Sequence, residues 1–463
     1  MKKTIYLFIT VVLLAGIFSS CKDEALEPTL AQSKAVEGSL NTQEDVLGIL
    51  YGAYNRMTGS GYYGRDFIIW GEVRSDNCYS NGNSGRFVTD AKMDYTDNFG
   101  GHWSEAYTVI ASANIVIALD PAELEGDLAV IQHYQGQAYA IRALAHYDLL
   151  IYYGQMNTGG TLGIPYIEEY KGDELYPARG TVAENKAKIM ADIATAISMM
   201  NPAQDDNSKE LFTSYGAQAL KARVATYFGD WDDVKSACGV IIGSGNYDII
   251  PGDDYAASWF VDGAANSILE LAFSSTDNAN INGLQQIYRG GAYGDVEGLA
   301  DLYNAFDVGD VRAAPDMIGV DPDVATRLYT NLGKYPSYDY SDNIPIFRYE
   351  EVVLNYAEAL LKTGDAGNAL TQLNLITAER NAVAHTVADE NTVLLERRRE
   401  LCFEGLRFHD LARTGRDIPL VDAFLQIHGG PAWGSYNFAF PIPVGEMDAN
   451  ASKIGRASCR ERV

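Results

Sequence analysis

The chain has 463 residues, of which 62 are acidic and 35 basic, for a formal net charge of −27. So acidic a surface repels phosphate backbones and anionic headgroups and argues against nucleic acid as a partner. The length allows one large or two ordinary domains, and the five cysteines lack the spacing of a zinc site or a disulfide framework.

At the N-terminus, Lys2 and Lys3 precede an apolar run from Ile5 to Phe18, which Ser19-Ser20-Cys21 closes. This is the pattern of a signal peptide over residues 1–20. The run is too short for a transmembrane helix, which needs about 20 apolar residues. A cysteine directly after the small residues resembles a lipobox, so Cys21 is the expected lipid attachment point. Several acyl chains on one residue anchor stably, at about 0.8 kcal/mol per buried CH₂. Residues 21–40 read as the lipidated N-terminus and a tether with few large apolar residues. From Lys22 to Ser452 there are 29 basic and 61 acidic residues, a net −32.

Helical periodicity dominates the expected main domain, residues 41–452. Val46, Ile49, Leu50, Ala53, Tyr54 and Met57 mark one face of a first helix, with Asn41-Thr42 as cap candidates. Tyr107, Ile110, Asn114 and Ile117 predict a second helix, and 131–151 a third. The capping-box match Thr181-Val182-Ala183-Glu184 opens a fourth, with Ile189, Ile193, Ile197 and Met200 on one face. Ala217, Leu220, Val224, Tyr227 and Phe228, then Gly229-Asp230, then Trp231, Val234, Cys238 and Ile241 read as helix, tight turn, helix. The arrangement returns at Val353–Leu360, Gly364-Asp365 and Ala369–Ile376. Small residues such as Ala222 and Ala357 let two antiparallel helices approach, as in tetratricopeptide-type hairpins. The pairs are spaced too irregularly for a solenoid. The fold class predicted is all-α, with tetratricopeptide-like hairpins forming a scaffold that carries long loops and a few short strands.

Two stretches, 59–101 and 245–343, are rich in Gly, Asp, Asn and Tyr and read as loops, with a short strand near 267–273. Loops on a rigid scaffold are where binding usually resides. Gly59-Ser60-Gly61-Tyr62-Tyr63-Gly64 matches GxGxxG but neither follows a strand nor opens a helix, so it fails as a dinucleotide site. Asn278, Asn280 and Asn282 imitate a calcium loop, yet Arg289 stands where a bidentate Glu is needed. The histidines do not cluster in sequence, and no catalytic constellation, metal site or cofactor site stands out. The last residues, 453–463, form a basic run that resembles a translated sequencing adapter and is read as a non-native scar.

Several segments carry a family resemblance. They are Leu50-Tyr51-Gly52-Ala53-Tyr54-Asn55, Trp103-x-x-x-Tyr107-x-x-Ile110-x-x-x-Asn114, Gly136-Gln137-Ala138 to Arg142-Ala143 with Tyr153-Gly154, and Ile344-Pro345-Ile346-Phe347-Arg348-Tyr349. Asn355-Tyr356-Ala357-Glu358-Ala359, the run from Glu396 to Leu411, and Pro441-Ile442-Pro443 complete the set. In this order after a lipobox, they resemble the SusD/RagB family of surface glycan-binding lipoproteins. Lys22-Asp23-Glu24 is similar to the surface-export signal of lipoproteins from Bacteroidota. The resemblance implies a non-enzymatic protein, lipid-anchored on the outer membrane and facing the cell exterior. It would capture an oligosaccharide, or in RagB-like members a peptide, and pass it to a SusC-like TonB-dependent barrel. An exported polysaccharide-degrading enzyme is the rival of a different class.

Sugar recognition needs flat apolar faces for C–H groups and amide, carboxylate or guanidinium groups for hydroxyls. The first loop offers Arg74, Asp76, Asn77, Tyr79, Asn81, Arg86 and Phe87, and the second offers Tyr288, Arg289 and Tyr293. By contrast Arg348, Glu351, Glu358, Arg397, Glu400, Glu404, Arg407 and Asp410 lie among core residues and are expected to be structural pairs.

Overall fold

The structure is a computed structural model that describes residues 40–95, 101–171, 176–450 and 452. The signal segment, Cys21, almost all of the tether and the 453–463 tail lie outside the described residues. The unit from Thr42 onward holds every element below.

Helix α1 (Gln43–Met57) opens with a capping box in which the Thr42 hydroxyl accepts from Asp45 N and the Asp45 carboxylate accepts from Thr42 N. It buries Val46, Leu50, Ala53, Tyr54 and Met57. Within the stretch expected to be loop, Asp66–Val73 forms a further helix, α2, in which every residue from Phe67 on is buried. A segment covered on all sides has no polar face, so it leaves no period of 3.6 to read. Helices α3 (Trp103–Ile117), α4 (Leu128–Tyr153) and α5 (Val182–Met199) follow as predicted. The Thr181/Glu184 capping box is formed in both directions.

Helices α6 (Ser214–Phe228) and α7 (Trp231–Ser244) make the first predicted hairpin, turned by Gly229 at φ +76°. Helices α8 (Tyr349–Lys362) and α9 (Ala366–Glu379) make the second, turned by Gly364 at φ +91°. The helices stack in a continuous series: α1 on α3, then α4, α5, α6, α7, α8 and α9. The two hairpins are distant in sequence, yet α7 lies directly against α8. Helix α10 (Glu390–Leu401) also covers α8, and α11 (Arg407–Arg413) reaches back to α2 and α6.

Three antiparallel two-stranded ribbons are set into this scaffold. β1 (Cys78–Ser80) pairs with β3 (Val296–Gly298), and β2 (Ser267–Leu271) pairs with β6 (Ile344–Arg348). β4 (Ile318–Gly319) pairs with β5 (Thr330–Asn331).

The charged residues of the segments that carry the resemblance are buried and paired. Arg348 and Arg380 bridge Glu350 and Glu400, Arg312 joins Asp310, Glu396 and Glu400, and Lys334 shares Glu404 with Arg348. Glu351 pairs with Arg223, Glu358 with Arg413, and Asp410 with Arg397. These residues are scaffold, as their setting among core residues predicts.

Candidate functional site

Strand β1 brings the two candidate loops together. Its register sets Tyr79 opposite Glu297 and Ser80 opposite Val296. Beyond the strand ends, the side chains stitch the loops to each other. Asn81 Nδ2 donates to Gly294 O at 2.7 Å and to Glu297 Oε1 at 2.6 Å, and Asn83 Nδ2 donates to Tyr293 O at 2.5 Å. Ser84 donates through its amide and hydroxyl to the Asp295 carboxylate, both at 2.7 Å. The Arg86 guanidinium lies 3.9 Å from the centroid of the Tyr293 ring and donates to Asn282 Oδ1 at 3.0 Å. Tyr79, Asn81, Arg86 and Tyr293 are all partly exposed. Burial, together with Glu297, raises the Tyr79 phenol, which stays protonated and able to donate at neutral pH.

The remaining candidates lie beneath this face, and their expected role as ligand contacts is corrected by their burial. The Arg74 guanidinium is fully buried in an aromatic cage, 3.8 Å from the Phe408 centroid and 4.3 Å from that of Phe440, with Tyr95 and Tyr152 farther out. Asp76 is held by Arg407 and Arg398. Asn77 donates to Glu72 and accepts from Arg398. Phe87 is buried beside Arg65. Tyr288 is 1 % exposed and donates to Phe403 O. Arg289 donates to the carbonyls of Leu332 and Tyr335. Arg74 donates only through Nη2, to Asn437 O, and its Nε and Nη1 are buried without a hydrogen-bond partner, faced by the rings of the cage; the polar groups of the others are engaged by the protein itself and position the loops.

One exposed ring beside a candidate residue was missed in the sequence. Tyr338 is 73 % exposed, and the Arg289 guanidinium lies 5.5 Å from its ring centroid. The signal available was the run Tyr335-Pro-Ser-Tyr338-Asp-Tyr340, too rich in aromatics for an ordinary loop. A separate concavity of about 570 Å3, between Trp103, Tyr107, Pro165, Tyr176 and Asn450, is lined by none of the candidates.

The assembled face therefore offers ring surfaces at Tyr79 and Tyr293 and a guanidinium at Arg86, braced by Asn81, whose amide is engaged by Gly294 O, Glu297 and Asn83 N. Such a set can stack and hydrogen-bond a polyhydroxylated ligand.

Two family models match the chain: one described as starch-binding associating with outer membrane, over residues 27–226, and one described as the SusD family, over residues 319–452. The chain belongs to the SusD family. The SusD-like protein P38 of Formosa agariphila is 23% identical, the match covering 90% of this chain and 93% of the relative. A SusD superfamily protein from Bacteroides vulgatus is 26% identical and superposes with a TM-score of 0.82, over 90% of this chain and 99% of its own. Surface glycan-binding protein A from Bacteroides fluxus shares the fold at 22% identity, with a TM-score of 0.74 over 90% and 99% of the two chains. The helical scaffold with hairpins is thus that of SusD-like proteins, a family associated with the outer membrane. No helix among the described residues is long and apolar enough to cross a membrane.

Proposed function

We propose that this SusD family chain is a surface lipoprotein, lipidated on Cys21, that captures an oligosaccharide on the face built by the β1 and β3 loops. It passes the ligand to a SusC-like TonB-dependent barrel and performs no chemistry on it. The observation that carries this reading is the Arg86–Tyr293 stack, set beside Tyr79 and Asn81 on loops that the scaffold holds rigidly. Preorganised aromatic and polar groups bind without a large ordering cost. Support also comes from the description of the matching family as starch-binding and from relatives named for glycan binding.

The test is a binding screen of the purified chain against polysaccharides and their oligosaccharides, with peptides as competitors and release of reducing ends as the readout for cleavage. Saturable glycan binding without cleavage is expected. Tyr293→Ala should weaken it about tenfold or more, on the scale of one lost stacking contact with its hydrogen-bonding neighbours. Tyr288→Ala should instead lower Tm, because it empties a core position and removes one of the two hydroxyls that donate to Phe403 O. Competition by peptides alone would favour the peptide-binding reading, and release of reducing ends the enzyme.

A further inference from the structure

We infer that Phe424 is an additional ligand platform, at the tip of a rigid loop beside Tyr79, and that it extends the site along the ligand chain; this rests on the glycan-binding reading above. Phe424 is 96% exposed, and Leu420, Val421 and Ile427 around it are each 40–46% exposed. An apolar patch of this kind, held out into water by an ordered segment, marks a contact surface.

The loop owes its order to two buried or bonded side chains. Asp422 Oδ1 accepts from Phe424 N at 2.9 Å and from Leu425 N at 3.1 Å. Gln426, only 2% exposed, accepts from Val421 N and Asp422 N through Oε1 and donates through Nε2 to Pro419 O. The same Nε2 donates to Ser75 O at 3.2 Å, which ties the loop to the segment that runs into β1. Asp422 is also within electrostatic reach of the Tyr79 phenol.

Phe424 is therefore fixed relative to the Ser75 segment that leads into β1 and Tyr79. The carboxylate of Asp422 is engaged by amides of its own loop, which leaves the ring face as the contact group at the tip. Continuity with the Tyr79 face singles out the occupant: a further unit of the oligosaccharide held by Tyr79 and Tyr293, its C–H face on the Phe424 ring.

The experiment titrates the full chain and its Phe424→Ala, Phe424→Trp and Tyr293→Ala variants with length-fractionated hydrolysates of starch, laminarin and xylan. Phe424→Ala should lose about three- to tenfold affinity for the longest oligomers bound, with the shortest bound oligomer unaffected. Phe424→Trp should restore the long-oligomer affinity. Because Phe424 is exposed, Tm serves as the folding control and should not move. Equal affinity of wild type and Phe424→Ala at every length, with Tyr293→Ala still weakened, overturns the inference and leaves the glycan reading intact. A loss that is the same for short and long oligomers also overturns it. Absence of binding to all fractions by the wild type would remove the glycan reading and this inference together.

Discussion

Individual side chains in this protein behave according to the water around them rather than their chemical type. Arg74 and Arg86 are both guanidinium groups next to aromatic rings, yet one is sealed in a cage of Tyr95, Tyr152, Phe408 and Phe440 and the other faces solvent on Tyr293. Asp148 shows the cost of burial most directly. Desolvation raises its carboxyl to about 7, against the opposing effect of the phenol donors Tyr62 at 2.5 Å and Tyr63 at 2.8 Å. The folded state therefore holds a proton on Asp148 that the unfolded chain, with an ordinary carboxyl near 3.8, has released. Its contribution to stability is lost as pH rises from about 4 to 7. Buried His102 and His409, pushed by desolvation down to about 3, act in the opposite sense: they favour the fold progressively as pH rises from about 3 to 6.5. Replacing Asp148 by Asn isolates the first effect. The difference in Tm between variant and wild type should shift in favour of the variant between pH 4 and 7 and then level off, as followed by thermal melts across that range. Burial of this kind has no signature in a residue's identity, which is why Arg74, Asp76 and Tyr288 read from sequence as candidates equal to Arg86 and Tyr293.

At the scale of elements, helices α1 and α5, each with one wet face and a cap, were predictable, whereas the enclosed α2 was not. Helices α1 and α5 announce themselves by an apolar stripe and a cap, because a half-buried helix must alternate its faces with period 3.6. Helix α2 is enclosed, and one of its constraints is a contact of backbone with backbone: a Cβ on Gly71 would overlap the carbonyl of Gly405, itself at φ +81°. Gly71→Ala should destabilise by about 1–3 kcal/mol through overpacking that neither backbone can relieve easily, measured by chemical denaturation. Since α2 leads directly into the β1 loop, the same variant should also weaken glycan binding, whereas Thr181→Ala, which costs about 1 kcal/mol of cap energy at α5, should not. The β1–β3 ribbon is three residues long on each side. Its partners are more than two hundred residues apart, and nothing in either short run specifies the other.

For the whole molecule, the buried ion network joins β6, α8, α9 and α10 and the loops at 312 and 334 into one block. Burial by itself would raise Glu400, but Arg380, Arg348 and Arg312 outweigh it and hold the carboxyl well below the usual carboxylate range. Asp410 is likewise lowered to about 2 by Arg397 and Arg413 against the effect of burial. Both groups stabilise the fold above the ordinary carboxylate pKa. The Asp410 share is lost as pH falls from about 4 to 2, where the expected result is cooperative acid unfolding in far-UV circular dichroism. Glu400→Gln should cost about 3–5 kcal/mol, because it removes the one carboxylate that three buried guanidinium groups, Arg312, Arg348 and Arg380, share.

The sequence by itself determined the acidic character, the helical hairpins, the pairing of the motif charges and the family, because periodicity, caps and ordered motifs are local properties of the chain. It also marked the two loop regions in which the candidate face lies. Only the tertiary structure decided which residues of those loops reach water, that β1 and β3 meet, and that a loop near residue 424 is tied to the segment leading into β1. Exposure and long-range pairing depend on what the rest of the chain packs against, and no window of sequence contains that information.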